Sequence, residues 1–89
     1  MGATNVNAIV KQITPLSGAT LDGYKLGWLV ATAKAAQNDT VTITNAVAVH
    51  TAFLELEADG VSEANTIATN VITLTANTNG NVKGLVIYK

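Results

Sequence analysis

Few side chains in this sequence could do chemistry, and their spacing limits what that chemistry could be. His50 is the sole histidine and there is no cysteine, so a tetrahedral nitrogen or sulfur metal site has no second ligand of that kind. A surface or structurally satisfied histidine is the expectation. Glu55 and Glu57 stand two positions apart and project from one face of an extended segment. Paired carboxylates can do general acid/base work, or hold a cation, when a surrounding pocket separates their pKa values. A solvated sheet face, or an intersubunit contact with a lysine, is the simpler expectation. Asp59 and Glu63 enlarge this acidic group, which lacks the alternating ligands and closing Glu of a calcium loop. Ser17 and Ser62 fall in expected loops without a Gly-x-Ser-x-Gly setting, and no phosphate loop or dinucleotide fingerprint occurs. Asn38-Asp39-Thr40 matches a glycosylation triplet, but Asn-Asp before a strand reads more simply as a turn. Trp28, Tyr24 and Tyr88 could line a sugar site; so few aromatics are expected instead to anchor a core or an interface. The expectation is a non-enzyme with no cofactor and no metal.

The elements that would carry these residues are strands. Asp39-Thr40-Val41-Thr42-Ile43-Thr44, Val71-Ile72-Thr73-Leu74-Thr75 and Val82-Lys83-Gly84-Leu85-Val86-Ile87-Tyr88 are dense in β-branched residues that pack well on a pleated surface. Val41 and Ile43 alternate with threonines, as in a sheet with one wet or partner-facing side. Val6 to Ile13 reads as a first strand, closed by Pro15, with turns at Leu16-Ser17-Gly18 and Leu21-Asp22-Gly23. Tyr24, Leu26, Trp28 and Val30 share one face of a second strand, and this aromatic face is expected inward. A helical turn is compatible with Ala33 to Gln37.

From Val47 to Ala58 the apolar side changes phase, which predicts a β-bulge or bend near Phe53-Leu54. Asp59-Gly60 is a second reversal, Val61 to Ala64 reads as a loop, and Thr66 to Thr69 as a short strand. Asn79-Gly80 lies between the last two strand runs and predicts that they pair as an antiparallel hairpin. These segments specify an all-β fold, a small antiparallel β-sandwich or barrel with an extended N-terminal arm. Residues 1–89 form one domain, with 1–13 as the possible arm.

Composition excludes several classes of function. The 89 residues carry a net charge of −1, with five lysines and no arginine, so no clustered positive footprint for nucleic acid is present. No apolar run approaches the roughly 20 residues of a transmembrane helix, and Met1-Gly2-Ala3-Thr4-Asn5 lacks the features of a secretory signal. Only 12% of residues are charged, about half the usual share of roughly 25%. A domain this small buries little more than about 60% of its unfolded surface, and without disulfides or metal its remaining reinforcement is oligomerisation.

The N-terminal Val6-Asn7-Ala8-Ile9-Val10-Lys11, the central Thr/Val strands, and the close Val71-Ile72-Thr73-Leu74-Thr75, Asn-Gly, Val82-Lys83-Gly84-Leu85-Val86-Ile87 together resemble small tailed-phage virion proteins. The resemblance covers most of the chain as texture and transfers no functional residue position by position. It implies a capsid decoration (cement) protein, made in the host cytoplasm and located on the virion surface. Its partners would be the major capsid protein and further copies of itself, a trimer being the expected homo-oligomer. The arm is the expected contact, with Val6, Ala8, Ile9, Val10 and Ile13 as partner-binding residues, because an extended terminal segment can add a strand to an exposed edge. The alternative is a tail-tip or fibre module that binds carbohydrate or a receptor through Trp28, Tyr24 and the Glu55/Glu57 face.

Overall fold

The computed structural model describes residues 5–89, and within them the chain is all strand and turn. Eight strands follow in order: β1 (Ala8–Pro15), β2 (Lys25–Lys34), β3 (Asp39–Thr42), β4 (Val49–Leu56), β5 (Ser62–Glu63), β6 (Asn65–Ala68), β7 (Val71–Leu74) and β8 (Gly80–Tyr88). They form a five-stranded sheet, β1-β2-β8-β4-β5, and a three-stranded sheet, β3-β7-β6. Every strand pair is antiparallel. The result is a small β-sandwich.

Alternation along each strand sends one set of side chains between the sheets. Leu29, Ala31, Leu54, Leu56, Val82 and Val86 enter from the five-stranded sheet, and Val41, Ile72 and Leu74 from the three-stranded one. Val6, Ile43, Val49 and Tyr88 complete the buried set. Glycine is required where strands approach closely. A Cβ at Gly84 would lie 2.0 Å from the Phe53 carbonyl oxygen, and one at Gly27 would lie 2.7 Å from the Tyr88 ring.

The N-terminal segment is extended and bridges the two sheets instead of standing free. Asn5 makes a parallel bridge to Thr40, the Val6 amide donates to the Thr40 carbonyl at 2.7 Å, and from Ala8 the chain pairs with β2. Residues 1–4, the start of the expected arm, lie outside the described residues.

Several local expectations are corrected. The aromatic face of β2 points outward: Gly27, Leu29 and Ala31 are buried, while Trp28 is 39% exposed. Gly27 explains the choice, since only a residue without a side chain fits against Tyr88 and Val10 on the inner face. The irregularity in β4 lies between Val49 and Thr51, not at Phe53-Leu54. It resets the phase earlier, so Ala52, Leu54 and Leu56 face the core and Phe53 faces out. The last two strands do not form a hairpin. β7 lies at the centre of the three-stranded sheet and β8 at the centre of the other, so residues 75–79 carry the chain across the sandwich. The expected loop from Val61 to Ala64 holds β5, and Ala33 to Gln37 forms an extended end and a turn without helix.

Candidate functional site

The outer face of the five-stranded sheet is built in three cross-strand rows. Register places Lys11, Trp28, Leu85 and Phe53 side by side across β1, β2, β8 and β4. One row along come Ile9, Val30, Lys83 and Glu55, and in the other direction Thr14, Leu26, Ile87 and Thr51. The central row points away from the core because its sequence neighbours Val10, Leu29, Val86 and Leu54 pack into it. The face is apolar and open: Ile9 is 68% exposed, Phe53 65% and Leu85 36%. Its charges are few. Lys83 Nζ lies 3.7 Å from a Glu55 carboxylate oxygen, both partly exposed, and Lys11 stands at the β1 margin. Ile13, also exposed, is the extra residue of a bulge where β1 slips register between Gln12 and Thr14.

At the β4 margin the face descends into a concavity of about 490 Å³, bordered by Trp28, Phe53, Leu85, Glu55, Ser62 and Asn65. The Asn65 amide is engaged by the fold, donating to the carbonyls of Ala52 and Glu63. The Glu55/Glu57 pair does not act as a unit. Glu55 faces Lys83, whereas Glu57 lies just past β4, where its carboxylate meets the Asn81 amide at 3.5 Å. His50 is exposed, with its ring edge-on to Tyr24 at 5.5 Å between centroids. Among the described residues, no three His, Cys, Asp or Glu groups converge where a metal ion could sit.

The expected partner-binding residues divide between the two faces. Val6 is a core residue, 6% exposed, and is corrected from that role: the step from the β3 edge to β1 turns it between the sheets. Ala8 and Val10 pack against the core from β1. Ile9 and Ile13 are exposed. Among the described residues no strand pairs with the far edge of β1.

Three charged groups of the described residues lie inside, a burial that sequence reasoning missed, and Glu63 is thereby removed from the expected acidic surface group. Lys34 and Glu63 form an ion pair with both side chains 0% exposed. The Lys34 ammonium donates to both Glu63 carboxylate oxygens at 3.2 and 3.3 Å, and to the carbonyls of Ala76 and Thr78 at 2.6 and 2.5 Å. Glu63 also accepts the Ala76 amide at 3.0 Å. A local break in β2 makes this possible. Ala33 has φ of 62° and the register with β8 slips between Ala31 and Lys34, which turns Lys34 into the interior. Asp39 is buried as well, accepting the amides of Ala35 and Ala36 at 2.9 and 3.0 Å and so closing the turn before β3. These groups hold structure. Lys34 and Glu63 fasten β2 and β5 to the segment that crosses between the sheets.

Comparisons with protein-family models, with curated proteins and with solved structures return no match to this chain. Among the described residues no helix is long and apolar enough to cross a membrane.

Proposed function

We propose that this chain is a non-enzymatic structural protein that acts by assembly, as a capsid decoration protein bound to the outer surface of a virion. The observation that carries the assembly reading is the outer face of the five-stranded sheet, where Ile9, Trp28, Phe53 and Leu85 are all exposed on one surface. Monomeric soluble proteins rarely leave large contiguous apolar patches uncovered. The capsid setting is what the resemblance to small tailed-phage virion proteins implies. In that setting the open edge of β1, flanked by Ile9 and Ile13, offers backbone groups to the major capsid protein by strand addition. Each bound copy stabilises the shell by mass action, because it binds the assembled state and not the dissociated one.

Heating purified particles with and without the protein tests this reading. The decorated particles are expected to release their contents at a higher temperature, and Ile9→Asp/Ile13→Asp protein is expected to be lost from them. Equal release temperatures would refute capsid stabilisation. One observation favours a second reading, a carbohydrate-binding fibre or tail-tip module: Trp28 and Phe53 border a concavity that also carries Glu55 and Ser62. Binding on a glycan array that disappears with Trp28→Ala would select that reading over decoration.

A further inference from the structure

We propose that the outer face of the five-stranded sheet is covered by a second copy of this chain, packed face to face about a two-fold axis running along the strands. This rests on the assembly reading above and names the partner of that face, leaving the β1 edge for the capsid.

The register of the sheet decides the geometry. A two-fold pair is self-complementary, so each residue of the face must suit the residue that the axis brings opposite it. An axis lying across the strands and passing through the central row would keep each strand over its own copy. Lys11 would then meet Lys11 of the partner copy, at the roughly 10 Å spacing of packed sheets, a like-charge contact on the axis at the margin. An axis along the strands, between β2 and β8, reverses the strand order instead. It sets Lys11 over Phe53, Trp28 over Leu85, and their symmetry mates over each other.

In that arrangement the Lys11 stem lies across an aromatic ring that is 65% exposed in the single chain. Its ammonium reaches towards Glu55, one row further, about 6.7 Å along the strand. The side row places Leu26 over Ile87 and Thr14 over Thr51. The remaining row sets Val30 over Lys83, whose amine already has Glu55 beside it, and Ile9 over Glu55, so that the Lys11 ammonium reaches Glu55 diagonally from the central row.

Four strands at about 4.8 Å and three rows at about 6.7 Å give roughly 400 Å² of flat area per copy. The pair therefore covers about 800 Å² in total before side-chain relief is counted, below the roughly 1,200–2,000 Å² of standard specific interfaces and in the range of weak, transient ones. Its centre is Trp28 against Leu85, the kind of aromatic anchor that dominates such contacts. A weak, rapidly exchanging dimer is the expected strength.

A charge exchange tests the geometry. In sedimentation velocity across a concentration series, the wild-type chain is expected to reach the mass of two copies. Lys11→Glu sets two carboxylates together, and Glu55→Lys sets two amines together. Each variant alone is expected to weaken the dimer tenfold or more. An equimolar mixture of the two variants restores attraction at both ends of the interface. At one end the introduced glutamate faces the introduced lysine, and at the other the unaltered Lys11 faces the unaltered Glu55, so a mixed dimer is expected. A wild-type chain that stays monomeric at hundreds of micromolar, or that assembles as a trimer, overturns the proposal. So does a dimer that neither variant weakens, or a mixture no tighter than the separate variants. Should Glu55→Lys fail to fold beside Lys83, comparison of Lys11→Glu with Lys11→Gln decides: equal dimer strength overturns the charge contact, and a weaker Lys11→Glu dimer supports it. Sedimentation needs no particles and particle heating needs no dimer, so failure of one proposal is distinguishable from failure of the other.

Discussion

Replacing Glu63 by Gln would leave the Lys34 ammonium in the interior without its counter-charge. All of that ammonium's donor capacity is directed at Glu63, Ala76 O and Thr78 O, and the side chain is 0% exposed, so water cannot take over. Removing one member of a buried pair costs about 3–5 kcal/mol. A domain of this size has a total stability of roughly 5–13 kcal/mol, so the substitution removes about a quarter of it or more. At about 4–8 °C per kcal/mol, the melting temperature of Glu63→Gln is expected to fall by roughly 12–40 °C.

The double variant Lys34→Met/Glu63→Leu is the sharper measurement. Replacing an isolated buried pair by apolar residues of similar volume is often neutral or stabilising. Here the same replacement strands the Ala76 amide and the carbonyls of Ala76 and Thr78. An orphan shielded from water costs about 1–3 kcal/mol, which applies to the two groups of half-buried Ala76, whereas exposed Thr78 can turn its carbonyl to solvent. The double variant is therefore expected to stay below wild type, by about 2 kcal/mol or more, although it holds no buried charge. Urea unfolding followed by circular dichroism, in a double-mutant cycle, measures both quantities. A Glu63→Gln chain within about 1 kcal/mol of wild type, or a double variant as stable as wild type, would refute the reasoning.

Two further outcomes follow from the packing. Gly84→Ala is expected to unfold the domain or lower its stability by more than about 3 kcal/mol, since its Cβ would lie 2.0 Å from a backbone oxygen that cannot rotate away. A melting temperature within a few degrees of wild type would contradict the close approach of β4 and β8. Val6→Ala and Ile9→Ala, three positions apart, should behave oppositely: about 1–3 kcal/mol lost for Val6, 6% exposed, and within about 0.5 kcal/mol for Ile9, 68% exposed. Equal effects in urea unfolding would refute the placement of Val6 in the core and Ile9 on the open face.

The class of fold and much of its alternation were legible in the residues alone. The threonines of β3 and β7 fall outside and Val41, Ile72 and Leu74 inside, as period 2 requires. Pro15 closes β1, and Gly23, at φ of 86°, completes the turn before β2. Periodicity separates two faces of a strand without saying which one is buried. In β2 both sets are apolar, Leu26/Trp28/Val30 and Leu29/Ala31, and only contact with Tyr88 through Gly27 selected the second.

Turn chemistry proved equally local. Asn79-Gly80 suits a hairpin, yet the segment before it is held across the sandwich by Lys34 and Glu63, which are 42 and 13 residues from Ala76. That pair left no trace in sequence spacing, because the bulge at Ala33 turned Lys34 inward and burial joined it to a carboxylate 29 residues away. The open face has the same origin. Its rows join residues from Ile9 to Ile87, and an apolar side chain becomes exposed surface only once the rest of the chain has chosen the opposite face as its core.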